Sequence, residues 1–469
     1  VGVADNTERS AGHAFGLGHA PGELKRVLSG GRLILVAGLL ADGVGSYLYL
    51  SASGRALGPD RFALVSVTWA LLFLVGNGLF VPFEQELARS IASDTADRSE
   101  RRRLPGGGSI RQILLVAAVL TTTACLAALI AAASLRASLF RGETGFVLAF
   151  VVGLIGVAAT FVVRGVLAGT GRYIAYGAMF ATDAIAKAVP AVGLAAAGVD
   201  SPVVYAWIMA LSAYAGIAVA LLCARPTGLP PDRRPVAWSG LISSLGFLLV
   251  TSIASLTLIN LGTLTVELLS DPREGTAAGV FLSALVIARI PLFLFQALQA
   301  VILPRLSAAA SIGDRSSFVV DLRRLAGGLA ALTVLATLVA AVAGPAVVAL
   351  LFGSEFDRID GWDMALLALS SMLLTATLTL NQAQIALHRQ RQAWWPWVAG
   401  LAVFALVAAN HRSDPLSRVE WSMVWSAVAA LGVAAALLRR GLDDLRPEGA
   451  DQEEADQDTA GAWSGAGEQ

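Results

Sequence analysis

Between Glu143 and Arg164 the chain reads GFVLAFVVGLIGVAATFVV (145–163), a run without one charged side chain. A helix of about 20 residues rises about 30 Å, the thickness of bilayer hydrocarbon. The run, with its flanking charges, has the form of a transmembrane helix. Working outward, the same form recurs. Apolar runs lie near 32–51, 62–83, 111–134, 145–166, 173–196, 202–223, 240–266, 276–303, 325–351, 362–385, 393–409 and 419–438. They are called spans 1 to 12 below. The expected fold class is an all-α integral membrane protein of about 12 transmembrane helices.

Composition points the same way. The 469 residues are 56% hydrophobic and 14% charged, whereas soluble domains carry about 25% charged residues. No water-soluble core hides so much apolar surface, but a bilayer does. The net charge is zero, which gives no footing for nucleic acid as a partner. Cys125 and Cys223 fall inside apolar runs and are expected to be small packed residues rather than a disulfide. Residues 1–31 lack an apolar stretch followed by a cleavage site, so span 1 is expected to act as its own insertion signal.

Orientation follows from Arg and Lys in the connections. With the N-terminus cytoplasmic, 24 basic residues flank the inner ends and 8 the outer ends; Lys187 and Arg289 lie within spans. The expectation is a multi-pass protein of the cell (inner) membrane with both termini cytoplasmic. The proline-rich stretch ARPTGLPPDRRPVAW (224–238) cannot be helical throughout and reads as a linker. The expected division is a cytoplasmic segment 1–31, an N-lobe 32–223, a cytoplasmic linker 224–239, a C-lobe 240–440 and a disordered acidic cytoplasmic tail 441–469.

The two halves resemble each other. Arg164 and Asn381 are 217 positions apart, as are Arg172 and Arg389, and Arg89 and Arg305 are 216 apart. These offsets suggest a duplicated six-helix unit. Six is even, so the copies share one orientation and form two pseudo-symmetric lobes related by an axis along the membrane normal, around a central cleft.

Several chemistries are missing from the text. There is no G-x-x-x-x-G-K-[ST] phosphate loop, and His13, His19, His388 and His411 are not paired at metal-ligand spacing. The outward loops are too short to hold a catalytic domain. No enzyme activity, metal or cofactor is expected.

Charges inside the bilayer cost about 2.5–3.5 kcal/mol each on insertion scales, so each needs a reason. Asp183 and Lys187 share a helix face at i,i+4 in span 5. Asp42 lies mid-span 1 and Arg289 mid-span 8, in LVIARIPLF. Gln296 and Gln299 follow on span 8, and Asn381, with Gln382 and Gln384, closes span 10; amides there bind sugar hydroxyls or glue helices. Glu84, Glu86 and Arg89 end span 2 and, with Arg305 after span 8, make a candidate cytoplasmic gate. The tryptophans at 394, 395, 397, 362, 421 and 425 read as an interfacial belt.

FEQELARSIA (83–92), RGVLAGTGRYIAYG (164–177), AGVFLSALVIARIPLFLFQALQAVILPRLS (278–307) and LLFGSEF (350–356) resemble actinobacterial oligosaccharide flippases. These form the polysaccharide-exporter branch of the multidrug/oligosaccharidyl-lipid/polysaccharide (MOP) superfamily. The resemblance implies two six-helix lobes that flip a lipid-linked oligosaccharide by alternating access. It implies Arg289, and less closely Lys187, as diphosphate-binding cations, with Gln296, Gln299 and Asn381 as further substrate contacts. Asp183 and Asp42 would then couple H⁺ or Na⁺. Implied partners are the lipid-linked glycan, membrane lipids, and a glycan polymerase or glycosyltransferases. Rival readings are a drug or metabolite exporter of the same superfamily, a non-transporting scaffold for polymer-building enzymes, and a glycan-processing membrane enzyme.

Overall fold

The computed structural model describes residues 31–100, 110–224, 238–269, 277–290, 315–356, 358–387, 389–410 and 415–443. The expected N-terminal segment 1–31 (but for Gly31), the linker (but for Ala224, Trp238 and Ser239) and the acidic tail (from residue 444) lie outside the described residues, as do Gln296, Gln299 and Arg305. All regular structure among the described residues is helical. The physical reason is that hydrocarbon offers no partner to a backbone N–H or C=O, and a helix satisfies both within itself.

Spans 1 and 2 run through α1 (Gly31–Leu71), a π-helical segment (Leu72–Asn77) and α2 (Gly78–Glu100). The turn between them is a kink at Gly58, whose φ of 66° suits glycine, followed by Pro59. Span 3 comprises α3 (Ile110–Ile130) and α4 (Ala132–Ser138); spans 4, 5 and 6 are α5 (Thr144–Gly169), α6 (Tyr173–Ala196) and α7 (Pro202–Cys223). Span 7 is α8 (Trp238–Leu269), and α9 (Ala277–Ala288) is the first part of span 8. Spans 9 to 12 are α10 (Arg315–Phe352), α11 (Gly361–Ala386), α12 (Trp395–Ala408) and α13 (Pro415–Asp443). Nine helices among the described residues are long and apolar enough to cross a membrane; the first, Leu33–Ile91, holds two expected spans. The shorter apolar helices Gly279–Ala288 and Trp395–Ala408 fall at spans 8 and 11.

The helix pairings repeat. In the first half, span 1 packs on 5, 3 on 4, 4 on 6 and 5 on 6; in the second, 7 packs on 11, 9 on 10, 10 on 12 and 11 on 12. A side-chain detail repeats as well. Arg172 donates to the Ala224 carbonyl at the end of α7, at 2.6 Å. Arg389 lies against Gly441 near the end of α13, where an added Cβ would be 3.2 Å from its Nη1. Both pairs are 52 residues apart, so the offset of 217 in the sequence carries over to a contact.

Call the face at which α1 begins the near face. At the far face the two halves are packed together. Phe62 meets Phe352 and Phe356, both at 5.8 Å between ring centroids. Arg55 donates to the carbonyls of Leu350 and Leu351, the latter at 2.8 Å from Nε, and Ser51 also donates to Leu351. Arg141, in the loop before α5, bridges Asp60 (2.6 Å) and Glu267 at the end of α8 (3.3 Å). The cleft expected between the halves is thus closed at this end.

Within the first half α1 and α6 lie backbone to backbone. A Cβ on Gly38 would overlap the Gly177 carbonyl, and one on Gly45 would sit 2.7 Å from the Ala184 Cβ. Small residues permit such approach, and close packing replaces the hydrophobic drive that lipid removes. Gly38→Leu should therefore cost about 1–3 kcal/mol and lower both the folded yield and the melting temperature in detergent. Gly246→Ala, where an added Cβ meets nothing within 4 Å, should leave both unchanged.

Candidate functional site

The close α1–α6 packing brings together three of the intramembrane charges. Lys187 Nζ lies 2.6 Å from Asp42 Oδ1 and 2.7 Å from Asp183 Oδ2. The lysine side chain is 8% exposed, its two carboxylates 27% and 24%. Ser212 of α7 lies against Asp183. The i,i+4 spacing of Asp183 and Lys187 was legible in the sequence; Asp42, 145 residues away, joins them only through the helix packing. Lys187 is therefore held by protein carboxylates within the first half.

Arg289 sits elsewhere. Helix α9 ends at Ala288, ahead of Pro291 in the sequence, which can donate no N–H to the turn before it. The Arg289 N–H bonds to Val286 O at 3.3 Å. Its Nη2 donates to the Ile259 carbonyl of α8 at 2.5 Å. Tyr47 of α1 donates to the same Val286 O at 2.8 Å, so the first half touches the second at this break. No ion pair to Arg289 is present among the described residues. Position 289 minus 217 is 72, where the π-helical segment of span 2 begins. The two equivalent helices thus leave α geometry at equivalent positions. Ser252 and Ile253 of α8 pack at the end of the π segment, the Ser252 hydroxyl donating to Asn77 O at 3.4 Å.

At the acidic end of span 2, the expected gate residues Glu84, Glu86 and Arg89 find partners within the first half. Glu84 pairs with Arg164 of α5 at 3.0 Å and accepts from the Tyr176 hydroxyl. Arg164 Nε donates to the Tyr176 oxygen at 3.0 Å. Its guanidinium lies between the rings of Phe161 (4.6 Å) and Phe180 (4.9 Å). Glu86, 2% exposed, pairs with Arg89 one turn on at 2.7 Å. All these contacts are within the first half. Asn381 is buried in the second half at 5% exposure, and the neighbouring Gln384 donates to Ala434 O of α13 at 3.1 Å. Sequence reasoning missed Tyr47, Arg164 and the Arg141–Glu267 contact as site residues. For Arg164 the signal was available: an arginine that directly closes an uncharged run at its near end.

Arg164→Ala should cost about 1–3 kcal/mol, because Glu84 loses its cation in a largely buried setting. Arg164→Ala with Glu84→Gln should recover part of that loss. A double-mutant cycle on melting temperature checks this; additive effects would show that the pair does not interact.

No protein-family model matches the chain. It is 26% identical over 361 residues to an uncharacterized protein of Mycobacterium bovis and to one of Mycobacterium tuberculosis, covering 74% of this chain and 78% of each relative. Among solved structures it resembles an inward-facing multidrug resistance MATE family transporter of the MOP superfamily. The TM-score is 0.65 at 14% identity, over 85% of this chain and 94% of that one. A MATE structure in the bent conformation gives 0.62 at 16% identity, over 90% and 97%. An outward-facing MATE structure gives 0.57 at 16% identity, over 90% and 98%. The chain has the all-helical, two-lobed, twelve-helix membrane fold of the MATE transporters of the MOP superfamily.

Proposed function

We propose that this protein is an alternating-access exporter whose cargo is a lipid-linked oligosaccharide carrying an anionic diphosphate. The observation that carries the reading is Arg289. It is a cation at a helix break in span 8, bonded to a backbone carbonyl and to no carboxylate among the described residues. Such breaks, at equivalent positions of two repeats, are where transporters of repeated design place their ligands. An arginine there offers a planar fork to a phosphate. The near face is cytoplasmic by the bias of basic residues, so the packed far face is the outer one. Of the other expected substrate contacts, Lys187 serves better as part of the α1–α6 charge cluster, and Asn381 as a buried amide of the second lobe. Glycan polymerase and glycosyltransferases are the proposed partners.

A second reading is export of cationic drugs. Two observations favour it: the net negative charge of Asp42, Asp183 and Lys187, and the multidrug transporters among the fold relatives.

In proteoliposomes, Arg289→Ala should keep the wild-type melting temperature and lose about 10- to 100-fold in flipping of a polyprenyl-diphosphate sugar. That range corresponds to one lost charge-assisted contact of about 1.5–3 kcal/mol. Arg289→Lys should recover part. An alanine variant that folds and flips like wild type would overturn the proposal. Efflux of a cationic dye, lost in Asp42→Asn and intact in Arg289→Ala, would favour the second reading.

A further inference from the structure

Two carboxylates from different helices converge on one point within the bilayer, and the atom at that point is the ammonium of Lys187, 2.6 and 2.7 Å from one oxygen of each. Carboxylates this close do not both stay ionised in a low-dielectric setting without a cation between them. The bridging position is therefore where a mobile alkali cation shared by Asp42 and Asp183 would have to sit. In this chain a cation is already there, covalently tied one turn along from Asp183, on the same face of α6. Its side chain is 8% exposed. From α7 the cluster meets Ser212, and the sequence of that helix, PVVYAWIMALSAYAGIAVALLC, holds no charged residue.

We infer that Lys187 is a built-in substitute for a coupling cation, so that Asp42 and Asp183 form a Na⁺ site that the chain itself permanently fills. Its consequence for transport, Na⁺-independent coupling through this cluster, rests on the exporter reading above. The occupancy itself does not.

The purified protein in nanodiscs is melted in NaCl, KCl and choline chloride at equal ionic strength. Wild type should melt at one temperature in all three. Lys187→Met, which keeps the length of the side chain and removes the charge, should melt several degrees higher in Na⁺ than in choline. That rise should saturate with concentration, as binding to the folded state requires. Adding Asp42→Asn to Lys187→Met should abolish it. Lys187→Arg, which keeps a fixed charge, should fold and remain indifferent to Na⁺. A saturable Na⁺ response of wild type, lost in Asp42→Asn, would overturn the inference. So would a folded Lys187→Met without a Na⁺ response, which would leave the cluster a clamp between α1 and α6. If Lys187→Met does not fold, Lys187→Gln is melted in the same three salts, and absence of a saturable Na⁺ response there overturns the inference. None of these outcomes depends on what is carried, so failure of the flipping assay and failure of this one are separate results.

Discussion

Hydrocarbon solvates neither a peptide group nor an ion, and the architecture of this protein follows from that constraint. The backbone answers with helices. The ionisable side chains described within the bilayer answer with partners supplied by the chain itself. Asp42 and Asp183 share Lys187. Glu84 takes Arg164 and a tyrosine hydroxyl. Arg289 takes a backbone carbonyl. Because each partner comes from a particular helix, the charges fix which helices touch. The cluster of Asp42, Asp183 and Lys187 works together with the Gly38–Gly177 approach to lock α1 onto α6.

The four mid-membrane charges sum to zero, which suggests one mutually neutral group when they are read from the sequence. The structure divides them. The first half keeps two carboxylates and one ammonium, a formal charge of −1; the second keeps Arg289, a formal +1. Arg289 therefore stands apart from the carboxylates of the first half. The proposed anion-binding role of the arginine rests on this separation.

The spans were legible because membrane insertion reads composition over about 20 residues, and the sequence supplies that directly. The duplication was legible because arginines mark helix ends, and Arg172 and Arg389 turn out to meet equivalent positions near the ends of α7 and α13. Partner choice was much less so. Arg89 and Glu84 look like neighbours at a helix end, but Arg89 takes Glu86, three residues away, and Glu84 reaches Arg164 across 80 residues. The partner of Arg289 is a peptide carbonyl, and every residue has one, so residue type carries no sign of it. The Tyr47–Val286 bond likewise needs the two halves already packed.

The contacts that hold the far face shut differ in kind from those inside each half. Arg55 bonds the carbonyls of Leu350 and Leu351, at the C-terminal end of α10, where helix geometry leaves carbonyls without an internal donor. Water can take over those carbonyls in the parted state that the proposed transport cycle needs. Deeper in the membrane, Val286 O receives the Arg289 N–H as well as the Tyr47 hydroxyl, so it stays bonded if Tyr47 withdraws. Arg141 is 31% exposed and reaches two carboxylates, and it can keep Asp60 while releasing Glu267. Each such exchange costs about 0.5–1.5 kcal/mol net. Separating α1 from α6 would instead take Asp42 away from Lys187 and leave its charge unpaired in lipid. Among the described polar contacts, the exchangeable ones thus lie between the lobes and the buried charge cluster lies within one of them, which is compatible with the proposed rocking of two six-helix units.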